Sequence, residues 1–304
     1  MKKQALLIFA SAALLAGCSS EENEGMAMDD GRVALQVSSG IDVQTRAHDD
    51  SWDIGDAIGI YMLDGGTPES GNRKYTTKDG KHEGSFTADK GQTIYFPTSG
   101  DTRDFIAYYP WRDYLTENNT TYNVDVTKQT FQEAIDLMGA AKVEGKSKSD
   151  PAVAFMFTHK LVKLYMNIKP DGSSLDLSDL EGLKVTITNQ RTKATYDVLA
   201  GGGVTVDTDG NTEEITLKTV ADGTISEGIV LPAEDTAGML LTFELGSGEN
   251  FTWAVKNASK SQKFIAGSKY LYTITVGKTA LEVTSTVTDW TPGNGDGGES
   301  GSAQ

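Results

Sequence analysis

Short stretches in which apolar and polar residues alternate recur along most of the chain. The alternation is clearest at 32–38, 122–126 and 270–276, and glycine, aspartate and asparagine separate such stretches from one another. A side-chain period of two is typical of β-strands with one buried face. Apolar residues at helical spacing are hard to find. The pattern therefore predicts an all-β fold.

The spacing of the turn residues predicts about seven strands in each half of the chain, which is enough for two β-sandwiches. The turn Pro170-Asp171-Gly172-Ser173 is the predicted boundary. It divides the chain into an N-terminal sandwich at 32–169 and a C-terminal sandwich at 170–292. The tail at 293–304 is rich in glycine, serine and aspartate, and we expect it to be disordered because it offers almost nothing to bury.

Four other segments carry more specific expectations. Residues 153–168 are long and apolar, and they predict one strand that crosses the core. Residues 129–141 are predicted to be helical or irregular, and 207–211 to form a hairpin turn. Residues 194–199 are predicted to pair with the strand at 183–189 or to follow it.

The first 17 residues have the three parts of a secretory signal. Lys2 and Lys3 precede an apolar run at 5–15, which is shorter than the roughly 20 residues that span a bilayer. Leu15-Ala16-Gly17-Cys18 matches the lipobox of bacterial lipoproteins. We therefore expect cleavage before Cys18 and a diacylglycerol on its thiol, which would anchor the mature chain in a membrane. The alternative is an ordinary signal with an unmodified cysteine.

The segment at 18–31 is predicted to be a flexible tether behind the lipid. Acidic residues at 21–24 resemble the surface-export signal of Bacteroidota lipoproteins, which would place the protein at the cell surface as an outer membrane lipoprotein. A solvated linker of the same composition explains these residues equally well.

The charge of the chain disfavours one class of partner, and its cysteine content excludes an internal disulfide. The chain has 27 basic and 43 acidic residues, a net charge of −16. Removal of Lys2 and Lys3 with the leader leaves 25 basic residues against 43 acidic ones, a net charge of −18. Such a surface repels phosphate backbones, so nucleic-acid binding is disfavoured. Cys18 is the only cysteine, so the mature chain has no internal disulfide.

No set of catalytic or metal-ligating residues is visible. His48, His82 and His159 are far apart in sequence and no second cysteine accompanies them, so a zinc site has no support. His159 lies in an apolar stretch and is predicted to be a core histidine. Nucleophile-elbow and phosphate-loop motifs are missing. We therefore expect neither an enzyme nor a cofactor, and no metal.

Two short patterns suggest further chemistry. Asp207-x-Asp209-Gly210 is weakly similar to a calcium loop, but its spacing departs from the EF-hand and a turn is the preferred interpretation. Asp235-Thr236-Ala237 matches the short pattern used for O-glycosylation in Bacteroidota, which makes Thr236 a candidate acceptor.

Five motifs, in order, resemble the fimbrillin-like proteins of Bacteroidota over 33–292. The motifs are Thr45-Arg46-Ala47 with Trp52-x-x-Gly55-Asp56-x-Ile58-Gly59-Ile60-Tyr61-Met62, then Phe105-Ile106-Ala107-Tyr108-Tyr109-Pro110, then Gln129 with Asp136-Leu137-Met138, then Phe155-x-Phe157-x-His159-Lys160-Leu161, and finally Asp289-Trp290.

This resemblance implies two tandem transthyretin-like β-sandwiches in a subunit of a type V pilus. It further implies that an arginine-specific protease cuts between Arg46 and Ala47 and that the strand before the cut is lost. That strand would be 33–43, with Val33, Leu35 and Val37 facing inward. A terminal strand from a neighbouring pilus subunit would then fill the groove by donor-strand exchange.

The physical chemistry agrees with this scheme, because a lost strand exposes unpaired backbone groups and a donated strand pairs them again. Arg46 is the only arginine between Arg32 and Arg73. The alternative is that Arg46 is an uncut loop residue. The stretch at 281–288 alternates only partly, so it either donates to a neighbour or completes its own domain. This favours a tip, accessory or anchor subunit over a stalk subunit.

The expected partners are other pilus subunits, the outer membrane through the lipid, and a ligand on a host or bacterial surface. A second hypothesis is a surface glycan-binding lipoprotein of a nutrient uptake system. Exposed aromatic residues would then stack on sugars, and Trp111, Tyr114 and Tyr122 are the candidates.

Overall fold

The chain folds almost entirely into β-strands, which confirms the all-β prediction. The computed structural model describes residues 31–41, 51–81, 83–257, 260–278, 280–289 and 299–303. Two 3₁₀ helices lie at Gln132–Ala134 and Leu177–Leu180. Within these ranges, no helix has the length and apolar character to cross a membrane.

The strands of the first half and of the junction are β1 Gln36–Ile41, β2 Ala57–Asp64, β3 Thr67–Thr77, β4 Glu83–Ala88, β5 Arg103–Tyr109, β6 Thr121–Asp125, β7 Met138–Ala140, β8 Val143–Lys146, β9 Ala152–His159 and β10 Val162–Pro170. The later strands are β11 Lys184–Gln190, β12 Lys193–Asp197, β13 Thr205–Val206, β14 Glu213–Thr216, β15 Lys218–Thr219, β16 Ile225–Val230, β17 Leu240–Glu244, β18 Asn250–Ala254, β19 Lys256–Asn257, β20 Lys260–Ser261, β21 Ser268–Gly277, β22 Ala280–Asp289 and β23 Glu299–Ala303.

The first half forms a closed ring of strands. Its sheet has the order β2-β3-β4-β1-β9-β7-β5-β8, and β2 also pairs with β5. Seven strands therefore form the ring, and β8 pairs with the start of β5 on the same edge that β7 occupies at its end. A closed sheet has no free edge within the ring. Every strand of the ring is consequently needed to keep it closed.

The second half has two larger sheets, the two-stranded sheet β19-β20, and one small sheet that joins it to the first half. The larger sheets have the orders β15-β16-β10-β21-β22-β23 and β14-β11-β17-β18. The small sheet, β13-β12-β6, takes β6 from the first half and pairs it with β12 over five residue pairs. Of the two predicted alternatives for 194–199, β12 follows the strand at 183–189 in the chain but does not pair with it, because it pairs with β6 and β13 instead.

Buried apolar residues form two cores. One fills the ring, and the other lies in the second half but includes first-half residues such as Tyr61 and Tyr108. β2 explains this arrangement, because Ile58 and Ile60 face the ring core whereas Tyr61 faces the other core. Adjacent residues of a strand point to opposite faces, so a strand between two cores is apolar throughout. Residues 32–304 accordingly form one compact unit.

The predicted single strand at 153–168 is wrong. β9 ends at His159 in the ring, whereas β10 begins at Val162 and pairs with β16 and β21 in the second half. The burial pattern shows the reason, since it alternates as far as His159 but Leu161 and Val162 are then both buried. This change of phase shifts the buried face, and the chain leaves one sheet for another.

Two turn and loop predictions are also revised. The predicted hairpin at 207–211 connects β13 and β14, which lie in different sheets, so it is a crossing connection. Its turn is stabilised locally, because the backbone N–H of Asp209 donates to the Asp207 carboxylate at 2.9 Å. Residues 129–141 contain the first 3₁₀ helix and the short strand β7.

The last strands complete the second half. β22 pairs with β21 through ten residue pairs, so it belongs to a sheet of its own chain. Part of the tail that was predicted to be disordered forms β23, which pairs with 281–285 of β22. Backbone hydrogen bonds to an open strand edge need no apolar side chains, which is why the composition of the tail did not reveal β23.

The turn at 170–173 is organised by a carboxylate that accepts several hydrogen bonds. The Asp171 carboxylate accepts hydrogen bonds from the Ser174 hydroxyl at 2.7 Å, and from the backbone N–H groups of Ser174 at 2.8 Å and Leu175 at 3.0 Å. These bonds, led by that of the hydroxyl, hold the pKa of Asp171 well below its ordinary value of 3.8. A depressed pKa stabilises the fold above the unfolded-state value, and this contribution disappears as the pH falls through the folded-state value.

We therefore expect Asp171→Ala to lower the urea midpoint near neutral pH, and the difference from the parent protein to shrink steadily below about pH 4. Urea unfolding of both proteins across this range measures the difference. An equal difference at every pH would show that the carboxylate charge plays no part in the turn.

Candidate functional site

The first strand is an internal strand of the ring. β1 runs antiparallel to β4, with Val37 opposite Phe86, and parallel to β9, with Ile41 opposite Phe157. The residues before it are also paired, because the N–H of Leu35 donates to the carbonyl of Ile94 at 2.9 Å. Both edges of this segment are therefore hydrogen-bonded. Its loss would leave β4 and β9 with unpaired backbone groups.

The inward side chains of this segment form part of the ring core. Leu35, Val37 and Ile41 are buried, and Val33 is half-buried against the same core. Ser39 is the small residue on this face. Burial of each large apolar side chain stabilises the fold by about 1.5–3 kcal/mol. Loss of the strand would therefore open an apolar groove as well as two strand edges.

A small polar cavity lies where β1 ends. Its volume is about 200 Å³, and Ile41 and Ser51 are among the residues that line it. The Tyr109 hydroxyl donates to the Asp56 carboxylate at 2.8 Å. Burial raises the pKa of Asp56 and that of Tyr109.

A histidine–aspartate pair and a lysine–glutamate ion pair line the same cavity. His159 Nδ1 lies 2.8 Å from the Asp136 carboxylate, and Lys163 Nζ lies 3.0 Å from the Glu227 carboxylate. His159 is buried in the interior, as the sequence predicts. No group of three metal-ligating side chains occurs among the described residues. The geometry indicates a structural polar cluster beneath the end of the first strand.

Several predicted site residues lie outside the described residues. They are Cys18, Arg46, Ala47, His48, His82 and Trp290.

Thr236 is a poor acceptor for O-glycosylation in the folded protein. Its side chain is fully buried, and its hydroxyl donates to the carbonyl of Val255 at 2.7 Å. The same hydroxyl accepts from the N–H of Gln262 at 2.8 Å. A glycosyl group would remove the donated bond and would need space beside a fully buried oxygen, so modification of Thr236 would require an unfolded or opened chain.

The three candidate sugar-stacking aromatics do not form a common exposed surface. Tyr122 is buried, so its assignment as a sugar platform is wrong. Trp111 is half-buried, and Lys74 Nζ lies 5.1 Å from the centre of its ring. The hydroxyl of Tyr114 accepts from the N–H of Asn123 at 2.8 Å. Tyr122 lies in an alternating strand, where only the sheet pairing decides which face is covered.

Gln129 has a structural role that the sequence did not reveal. Its side-chain amide donates to the carbonyls of Ile229 at 2.8 Å and Val126 at 2.6 Å, and its oxygen accepts from the N–H of Ile229 at 2.8 Å. It therefore pairs with β16 as a neighbouring strand would. The two residues are 100 positions apart, so no local pattern shows the contact.

These features define an all-β protein whose distinctive element is a first strand that closes a ring. The model of the fimbrillin-like family matches residues 45–290, and the chain therefore belongs to that family. The resemblance noted in the sequence is thereby confirmed.

Similar proteins agree with this assignment. A Bacteroides uniformis protein named as fimbrium subunit Fim1C is 58% identical over 308 residues and covers all of both chains. The crystal structure of a protein from the same species, titled as a cell adhesion protein, is 56% identical with a TM-score of 0.79, and covers 87% of this chain and 100% of its own. The crystal structure of a cell adhesion protein from Bacteroides ovatus is 19% identical with a TM-score of 0.65, covers 86% of this chain and 99% of its own, and shares the fold.

Proposed function

We propose that the protein is a non-catalytic fimbrium subunit of the cell surface, which accepts an extended strand from a neighbouring subunit in place of its own first strand. The observation that carries this proposal is the position of β1 inside a closed ring, with a partner on each edge. The names of the similar proteins, a fimbrium subunit and a cell adhesion protein, support it.

Three finer features belong to the same proposal. The chain would form two transthyretin-like sandwiches at 32–169 and 170–292. A lipid on Cys18 would hold it to the outer membrane before assembly. Cleavage between Arg46 and Ala47 would free the segment that contains β1, and this segment would then leave the groove.

An incoming strand must match the first strand in both its pairing and its side chains. β1 and the residue before it read Leu35-x-Val37-Ser38-Ser39-x-Ile41, and β22 contains Leu281-x-Val283-Thr284-Ser285-x-Val287. The two segments thus have identical residues at three of seven positions and similar residues at two more, with apolar residues at alternate places and serine at the same place. A strand of the β22 type would therefore suit the groove that β1 leaves.

In this chain, β22 is itself an internal strand of a sheet. Leu281 and Val283 are buried in the second core, and β22 pairs with strands on both sides. Donation of β22 would remove these side chains from the core and break its ten pairs with β21. The protein is thus suited to accept a strand and poorly suited to give one, which supports a tip or accessory position.

The test uses the purified mature protein and an arginine-specific protease. We expect a cut at Arg46, and we expect the cut protein to exchange its first strand for a fluorescent peptide with the sequence of residues 33–43. A peptide of residues 280–289 should also bind, whereas the 33–43 peptide with Val37→Asp should not, because it places a charge in the apolar groove. Fluorescence anisotropy measures binding.

The Arg46→Lys variant is the matched control, because it keeps the positive charge and resists an arginine-specific protease. It should bind no peptide. Equal peptide binding by this variant, or no binding by the cut protein, would contradict strand exchange at β1.

A further inference from the structure

A wide cleft in the part of the chain that the structure describes is separate from the first strand. It has a volume of about 800 Å³ and lies between the segment 127–135 and the segment 216–219. Pockets of roughly 300–1,000 Å³ are the usual size for small ligands. Nothing in the proposed strand exchange uses this cleft.

An exposed aromatic ring borders the cleft. Phe131 is 67% exposed, although it has a fully apolar side chain. Half-buried Ile135 and buried Leu217 line the cleft beside it. An exposed aromatic ring next to an apolar cleft offers a flat surface for the C–H face of a ligand ring.

The charges that line the cleft are mostly positive, in a chain of net charge −16. Arg112, Lys128 and Lys218 contribute three cations, and Asp125 is the one carboxylate. That carboxylate already accepts from the N–H of Thr127 at 3.0 Å and from its hydroxyl at 2.6 Å. The cleft is therefore complementary to a ligand that carries negative charge.

The three cations differ in how firmly they are held. The Arg112 guanidinium donates to the carbonyl of Ala134 and lies 5.4 Å from the centre of the Tyr122 ring, so it has a fixed position. Lys218 Nζ is 3.6 Å from the Glu227 carboxylate, which is a long ion pair, and Lys128 is exposed. A guanidinium has five N–H donors, so Arg112 keeps donors for a carboxylate of a ligand.

We propose that this cleft binds a carboxylated sugar, such as a terminal hexuronic or nonulosonic acid unit of a surface glycan. The ring would stack on Phe131, the carboxylate would pair with Arg112 and the two lysines, and threonine hydroxyls of the lining would bond to the sugar hydroxyls. An acidic peptide fits less well, because β15 supplies a strand edge of two residues only. The inference goes beyond strand exchange and supplies the ligand for adhesion.

The experiment is a calorimetric titration of the intact protein with glucuronic acid, N-acetylneuraminic acid and neutral glucose at low salt. We expect saturable binding of at least one acid at concentrations up to about 10 mM, and none of glucose. Binding should weaken as salt rises, because the cations are near the surface. Phe131→Ala, and the double variant Lys128→Gln with Lys218→Gln, should each weaken binding at least about tenfold.

Lys90→Gln and Ile54→Ala are the controls, since they alter an exposed cation and an exposed apolar residue outside the cleft. Both should bind as the parent protein does, and unfolding midpoints verify that every variant is folded. Equal binding of glucose, binding that survives Phe131→Ala, tighter binding of an acidic peptide, or no binding of either acid would each overturn the proposal. The uncut and cut proteins should bind alike, so this result is independent of strand exchange.

Discussion

Replacement of Trp52 by alanine is expected to lower the free energy of unfolding by about 3–5 kcal/mol. Trp52 is 1% exposed, and its ring makes edge contacts with Phe86 at 5.1 Å, Tyr109 at 5.4 Å and Phe157 at 5.2 Å between ring centres. These three rings lie on β4, β5 and β9, so Trp52 packs against three separate strands of the ring. Alanine would leave a cavity that backbone hydrogen bonds prevent from closing.

Urea unfolding measures this loss. Circular dichroism is the signal, because it does not depend on the tryptophan that the substitution removes. Ile54→Ala is the matched control, because Ile54 lies two residues further along and is 77% exposed. The control should change the free energy of unfolding by less than about 0.5 kcal/mol. A small effect of Trp52→Ala would mean that the ring core can be repacked without its largest side chain.

Replacement of Gln129 by alanine is expected to lower the free energy of unfolding by about 2–4 kcal/mol, since each buried polar group that loses its partner costs about 1–3 kcal/mol. The substitution would leave the N–H and carbonyl of Ile229 and the carbonyl of Val126 without the amide that now bonds to them. Gln129 itself is buried but borders the cleft between 127–135 and 216–219, so water that enters from the cleft would offset part of this loss.

The neighbouring residue provides a control for this substitution. Thr130 is exposed, and Thr130→Ala should leave the urea midpoint nearly unchanged. Amide hydrogen exchange gives a second readout, because Gln129→Ala should increase exchange at Ile229 more than at distant strands. Uniform exchange across both halves would argue against a local role for Gln129.

The sequence predicted local properties well and long-range pairing poorly. The alternation at 32–38 was sufficient to predict a strand there with Leu35 and Val37 on one face, because side-chain direction is a local property. Closure of the ring depends on the pairing of β2 with β5, about forty residues later, and no periodicity encodes that choice. The apolar run at 153–168 concealed a change of sheet for the same reason.

The candidate site shows the same difference between local properties, which the sequence predicts, and long-range contacts, which it does not. A three-residue pattern at 235–237 contains no information on burial, and the folded chain buries Thr236 through contacts with Val255 and Gln262. The cationic cleft likewise joins Arg112 to Lys218, which only the fold brings to one surface. Charge in the sequence as a whole is strongly negative, so composition alone conceals a locally positive cleft.

The sheet shared by β6 and β12 has a mechanical consequence. A fibre on a cell surface is pulled by flow, and a subunit of two independent domains would extend first at its linker. Here the five residue pairs between β6 and β12 must rupture before the halves can separate. Tension should therefore pass through the protein as through a single stiff block, and single-molecule pulling should show one force peak for both halves instead of two.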